Sequence, residues 1–216
     1  MFLNTQLSTS PLSPLKIHIK NFASAFALCG AVVISTLFSH QAKADLLIEP
    51  YFGAGIGEMK ASYSDGSGDL KYNTDGINVG ARIAVALPIV YFGADFDLQV
   101  SQAKTDSNPH SYFGNTNLTS QALFGFVGVH LPLLRAWAGY GVLDRLNFAS
   151  SNGYSARQFS GTAMKVGVGF TGLPFIDLNV EYIASTFTDR PSIGGATFDK
   201  ATQGTVVFSA SLPLTF

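Results

Sequence analysis

The last eleven residues, Val206 to Phe216, constrain the fold more than any other stretch. Val206, Phe208, Ala210, Leu212, Leu214 and Phe216 occupy every second position, and the residues between them are mostly small or hydroxylated. Side chains alternate across a strand, so this segment presents one oily face and one mildly polar face. A terminal strand of that kind, left at an open edge in water, invites aggregation. In a closed barrel in lipid it is the last stave.

The bulk numbers agree with lipid. Only 12% of the 216 residues are charged, about half the usual share of soluble domains, while glycine reaches 22 residues and aromatics 12%. Mean hydropathy is only slightly positive. A bundle of membrane helices needs several apolar runs of about 20 residues. A membrane β-barrel does not, because only alternate residues meet lipid. The near-neutral balance gives no reason to expect nucleic acid as a partner.

One continuous apolar run exists, Phe22 to Phe38, preceded by Lys16 and Lys20 and followed by Ala42-Lys43-Ala44. A basic region, an apolar core and an Ala-x-Ala site describe an export signal cleaved after Ala44, so residues 1–44 are expected to be removed and residues 45–216 to form the barrel. A retained membrane anchor is the rival reading. The single cysteine, Cys29, lies in the apolar core behind Leu28, which fits a small hydrophobe better than a lipid-modified residue. The mature chain then has no cysteine. It keeps all fourteen acidic residues and ten of the thirteen Lys and Arg, an excess of four negative charges.

Alternation recurs along the chain. From Asp45 to Met59, Leu46, Ile48, Phe52, Ala54 and Ile56 face one way, and Glu49, Tyr51, Gly53, Gly55 and Gly57 the other. A second strand sets Ile77, Val79, Ile83 and Val85 against Asn78, Gly80 and Arg82, and a third sets Phe92, Phe96 and Val100 against Asp95, Asp97 and Gln99. Strands four (118–131) and five (135–146) alternate less cleanly. Aligning their turn with the others puts Leu123, Val127, Ala138, Tyr140 and Val142 outward and Phe124, Phe126, His130, Arg135 and Trp137 inward, with a β-bulge able to reverse part of this. Strand six turns Lys165 inward, strand seven turns Asp177 and Glu181 inward, and strand eight ends the chain.

Leu-Pro pairs at 87–88, 131–132 and 173–174 mark tight turns, whereas the opposite connections, expected over 63–69, 103–117, 147–156 and 188–201, are longer and rich in Ser, Asn, Asp and Gly. Short turns at one end and long loops at the other predict an eight-stranded antiparallel up-and-down transmembrane barrel, with turns in the periplasm and loops outside. Aromatics are expected in two interfacial belts, with Tyr91, Phe92, Trp137, Phe170, Phe175 and Phe216 near the turns. Tyr63, Tyr72, Tyr112, Phe113, Phe148, Phe159 and Phe187 would form the other belt near the loops. The soluble alternative, a lipocalin-like barrel, would turn the oily faces inward.

On this strand count, turn asymmetry and terminal pattern, the chain from Asp45 to Phe216 resembles the small eight-stranded outer-membrane barrels of the OmpA-transmembrane-domain and OmpX type. The resemblance implies the outer membrane of a Gram-negative bacterium, a monomer embedded in outer-membrane lipid, and recognition of Phe208, Leu212, Leu214 and Phe216 by the barrel-assembly machinery. It implies no enzyme activity, cofactor or metal. Pro213 departs from the usual terminal strand, because it lacks a ladder donor. A missing bond is expected near it.

The inward polar set is Glu49, Arg82, Asp95, Asp97, Arg135, Lys165, Asp177 and Glu181. In an eight-stranded interior such groups fill the space and pair with one another. This points to a structural or surface-interaction role with a plugged lumen. A narrow, gated channel is the alternative, with Arg82 or Lys165 switching partners. A carrier of small apolar molecules is a further reading: with Phe124, Phe126, Trp137 and Leu143 facing inward, part of the lumen would be greasy and a lateral exit to lipid conceivable. A lipid A-modifying enzyme would need a Ser-His-acid arrangement, for which only His110 with Ser111 and Asp106, or His130 at a turn, offer material.

Overall fold

The computed structural model describes residues 44–107, 115–149, 157–189, 192–193 and 196–216. The expected export signal, His110 and Ser111, and Tyr112 and Phe113 lie outside them. Eight long antiparallel strands form this part of the chain. They are β1 (Asp45–Tyr63), β2 (Asp69–Ala86), β3 (Val90–Ser107), β4 (Thr116–His130), β5 (Leu134–Phe148), β6 (Arg157–Phe170), β7 (Asp177–Phe187) and β8 (Ala196–Ser211). The short pair Ser192–Ile193 folds back on β8, and Leu214–Thr215 prolongs β8 alongside β1.

Each strand pairs with its successor, and β8 pairs with β1, so the ladder closes. The closure is staggered. Passing once around through directly opposed residues leads from Tyr51 to Gly80, Asp97, Ala122, Asp144, Gly161, Phe187 and Ala201. It returns to β1 at Ala61, ten residues beyond the start. Eight strands with this stagger tilt by about 40° and leave a bore wide enough only for side chains.

The outer face is apolar from the short-turn end upward. Phe52, Ile56, Ile77, Ile83, Phe96, Met164, Val168 and Phe208 are each at least half exposed. On β1 this surface runs from Leu46 to Ile56. Ten residues at about 3.4 Å, tilted by about 40°, give a height of about 26 Å, the apolar thickness of a membrane barrel. Beyond Ile56 the pattern inverts. Glu58, Lys60, Asn73, Asp75, Gln102, Lys104 and Arg145 face out. Met59, Tyr63, Leu70, Tyr72, Leu118, Leu146, Phe159, Phe187 and Phe198 turn inward as one buried cluster. The barrel therefore carries a collar with the polarity of a soluble protein. Ion pairs decorate its outside, Lys60 with Asp69 at 2.9 Å and Lys104 with Asp75 at 3.0 Å. Hydrogen bonds from Lys60 and Ser62 hold the Asp69 carboxyl below the usual carboxylate range.

This inversion corrects two sequence expectations. The strands run further toward the long loops than an oily-outside pattern allows. β1 reaches Tyr63 and β2 starts at Asp69, β3 continues to Ser107, β5 to Phe148, and β8 starts at Ala196. Among the described residues the aromatics also do not form two lipid-facing belts. Tyr63, Tyr72, Phe159 and Phe187 pack inside the collar, and Tyr91 and Trp137 are buried in the lumen. Phe92, Phe170, Phe175 and Phe216 do face outward at the short-turn end.

The facing of β4 and β5 follows from one bulge. Leu123 opposes Leu143 and Phe124 opposes Gly141, so β5 carries an extra residue, which also disturbs its pairing with β6. Val142 and Leu143 both face outward, at 69% and 39% exposure. Leu143 is thus on the lipid side, contrary to what an inward apolar set requires. Past the bulge the phase is shifted, which sends Asp144 and Leu146 inward.

Pro213 sits opposite Glu49 in the register between Tyr51↔Ser211 and Ile48↔Leu214. Leu212, one residue earlier, donates to the Pro50 carbonyl at 3.0 Å. Nitrogens alternate in direction along a strand, so that of Pro213 points away from β1, past the end of β7, where no ladder partner is lost. The missing bond falls on Pro50 instead, whose nitrogen faces the Leu212 carbonyl. Spin labels placed singly at 142, 143 and 144 test the bulge. Positions 142 and 143 should both be accessible to lipid-dissolved oxygen and 144 should not; simple alternation through 142–144 would contradict it.

Candidate functional site: the buried ion network of the lumen

The short-turn half of the bore is filled by charged side chains from six strands. Arg82 of β2 is 1% exposed and lies at the centre. It donates to Glu49 of β1 at 2.9 Å, to Asp95 of β3 at 3.4 Å, and to Glu181 of β7. Arg135 of β5 forks onto the same Glu49, with one contact at 2.7 Å. It also reaches Asn179 at 2.8 Å, Ser211 at 3.2 Å and Asp177 at 3.3 Å. Lys165 of β6 lies 2.8 Å from both Asp95 and Asp97, and 3.8 Å from Glu181. The structure therefore brings Glu49, Arg82, Asp95, Asp97, Arg135, Lys165, Asp177 and Glu181 into one connected network.

Neutral groups complete it. The Tyr51 hydroxyl lies 2.8 Å from Asp95 and 3.0 Å from Asp97, and Asn78 donates to Asp97 at 2.7 Å. Arg82 is sandwiched between the rings of Tyr51 and Trp137, at 4.5 Å from each centroid, and Lys165 lies 4.5 Å from the Phe124 ring. Cations over aromatic faces gain from the ring quadrupole most where water is excluded. Glycines make room for these rings. A Cβ at Gly80 would stand 2.3 Å from the Tyr51 ring, and one at Gly167 2.4 Å from that of Trp137.

The sequence pattern located the charged set by its inward phase. It missed Tyr51 and Asn78 as network members and Trp137 as a partner of Arg82, because contacts across the bore depend on stagger, which no single strand displays. It also missed Asp144 as an inward group, because the bulge shifts the phase just before it. His130, expected inward, is half-buried and stacks on Tyr91 with 4.4 Å between ring centroids. Phe208, Leu212, Leu214 and Phe216 all face outward and are exposed. Phe216 exchanges two 3.0 Å backbone bonds with Leu46, fastening the chain end to β1.

The fold recurs in solved structures at low sequence identity. Ail, the attachment invasion locus protein of Yersinia pestis, solved with the heparin analogue sucrose octasulfate, is 16% identical. It matches over 80% of this chain and 99% of its own, with a TM-score of 0.50. OprG of Pseudomonas aeruginosa matches over 80% and 97% at 12% identity and a TM-score of 0.49. Neisserial surface protein A matches over 79% and 98% at 15% identity and a TM-score of 0.43. No protein-family model and no curated protein matches the sequence. The closed eight-stranded ring and its apolar girdle define the class: an eight-stranded transmembrane β-barrel protein.

Removing one cation from a dry network strands the carboxylates it served, which costs about 3–5 kcal/mol. Arg82→Met should lower stability by that order in urea unfolding of the micelle-embedded barrel. Adding Glu181→Gln should recover part of the loss. A single-variant loss below about 1 kcal/mol would mean that water reaches Arg82 and the network is not dry.

Proposed function

We propose that this is an outer-membrane barrel whose bore is blocked by its own side chains, and whose role is structural or exercised through its exterior. The observation that carries this reading is the complete burial of Arg82, Arg135 and Lys165 against carboxylates from opposite walls. Conduction through such a network requires charges to leave their partners in a low-dielectric space, which is costly. The apolar cluster of the collar adds a second, chemically different barrier above it.

On this reading residues 1–44 direct export and are cleaved after Ala44. The short turns then face the periplasm and the long loops the exterior. The barrel works as a monomer in outer-membrane lipid, needs no cofactor, and acts neither as an enzyme nor on nucleic acid. Phe208, Leu212, Leu214 and Phe216 serve the assembly machinery, a role that suits their exposure on the outside of the last strand. The narrow channel is the second reading. It draws on the shared contacts of Lys165 with Asp95, Asp97 and Glu181, which give an ammonium several carboxylates between which to move. An apolar carrier draws on Phe124, Phe126 and Trp137, which are buried in the bore, but Leu143 faces outward and Trp137 and Phe124 lie against Arg82 and Lys165.

Planar-bilayer recording separates the first two readings. The plugged barrel should give no single-channel events, and Arg82→Ala should gain none, because the collar cluster still closes the bore. Steady openings in the parent protein would instead favour the channel. Deleting Phe216 should reduce folded yield in cells more than it lowers the unfolding midpoint of barrels already assembled. Equal effects on both would assign Phe216 to stability alone.

A further inference from the structure

Between the ion network and the collar cluster lies a belt of inward polar side chains that neither of them uses. Its one charged member is Asp144, which is 1% exposed. Among the described residues no cation pairs with it and neither of its oxygens holds a well-formed hydrogen bond; the polar groups that bear on it are the Ser185 hydroxyl and, unfavourably, the Asp97 carboxylate. Ser185 opposes Gln203 on β8, and Gln203 donates its amide to Thr205 at 3.3 Å. Thr205 opposes Gly57, which in turn opposes Thr74. Polar side chains thus recur around the wall from Asp144 to Thr74, with a gap at Gly57. Along it Gln203 Oε1 and Thr74 Oγ1 are buried with no hydrogen-bond partner.

Unpaired buried oxygens are costly, and a carboxylate in such a place calls for a counter-charge. The described residues supply none. Among the described residues six carboxylates are buried, Glu49, Asp95, Asp97, Asp144, Asp177 and Glu181, against three cations, and all three cations are engaged in the network below. Surplus negative charge in the bore disfavours an empty belt and favours a mobile cation. The donor set also limits the class of ion. It consists of one carboxylate with neutral oxygens, and no group of three or more His, Cys, Asp or Glu among the described residues is placed to hold a metal. Divalent cations take several charged ligands or retain much of their water, whereas one carboxylate balances a single positive charge.

We propose that the belt is a binding site for one alkali-metal cation, anchored by Asp144 and completed by neutral oxygens such as those of Gln203 and Thr74. The belt lies level with the edge of the lipid-facing surface. Asp144 itself falls between Leu143, which faces lipid, and Arg145, which faces water. A cation held there ties the membrane barrel to its collar from within. The proposal stands apart from the question of conduction, because a trapped ion needs no path through the network below.

The test is to refold the full barrel into detergent micelles in sodium, potassium or rubidium chloride, or in choline chloride, at one ionic strength, and to measure the thermal unfolding midpoint. A ligand that binds only the folded state raises that midpoint. An alkali cation should raise it by about 3–8 °C over choline. Asp144→Asn should abolish the difference between salts and, in choline, should unfold no earlier than the parent. A parent midpoint indifferent to the cation, or an equal salt response in Asp144→Asn, overturns the proposal. So does a parent that ignores the cation but loses stability as pH rises through the carboxylate range, since the belt then holds a proton. Should Asp144→Asn fail to fold, crystals of the parent refolded and grown in rubidium chloride decide the matter. An anomalous peak beside Asp144 is expected, and its absence overturns the site.

Discussion

The stagger of ten residues around eight strands is the constraint on which the other features depend. It sets the bore, and the bore is too narrow for a column of water beside large side chains. Every inward position must then be filled by a group that suits its neighbours across the axis. Arg82 can meet Glu49, Asp95 and Glu181 from three other strands only because the ring closes at this radius. The same tightness explains the glycines under Tyr51 and Trp137. A wider barrel would not need them, and a narrower one could not hold the rings.

Charge burial on this scale would be a liability without the ring. An isolated ion pair in a dry interior recovers its desolvation cost only with good geometry and further hydrogen bonds. Here each of the three cations meets at least two carboxylates, and Tyr51, Asn78, Asn179 and Ser211 supply neutral bonds. The network therefore acts as the core of the membrane half. The collar has an ordinary core of Leu, Tyr, Phe and Met, as a soluble barrel would. One closed ladder of backbone bonds runs through both regimes, shifted in register only at local bulges such as that of β5.

Much of this was legible in the sequence wherever one rule held along a whole strand. The alternation of Ile77, Val79 and Ile83 with Asn78 and Arg82 reads directly as outside and inside, and the Leu-Pro turns order the strands. Legibility failed where the surroundings changed without a change of backbone. From Glu58 to Tyr63 the chain is still a strand, but water has replaced lipid outside, so a search for oily outward residues ends too early. It failed again at Val142-Leu143, where one extra residue flips the phase and hides Asp144. Contacts such as Arg82 with Glu181, 99 residues apart, depend on stagger and are invisible to any local pattern.

The switch of polarity at Ile56, Ile77, Val100 and Leu143 also fixes the barrel's vertical position. An ordinary membrane barrel with uncharged flanks tolerates a few ångströms of sliding. Here a shift in one direction drags Glu58, Asp75, Lys104 and Arg145 toward hydrocarbon, where a Lys or Arg costs about 2–4 kcal/mol near the midplane, an Asp or Glu less, and each less again toward the surface. A shift in the other direction strips lipid from Phe52, Ile56 and Met164. The surrounding bilayer must therefore adapt its thickness to the protein. A molecule built this way acts as a gauge of local membrane depth, and is best accommodated where about 26 Å of hydrocarbon is already present.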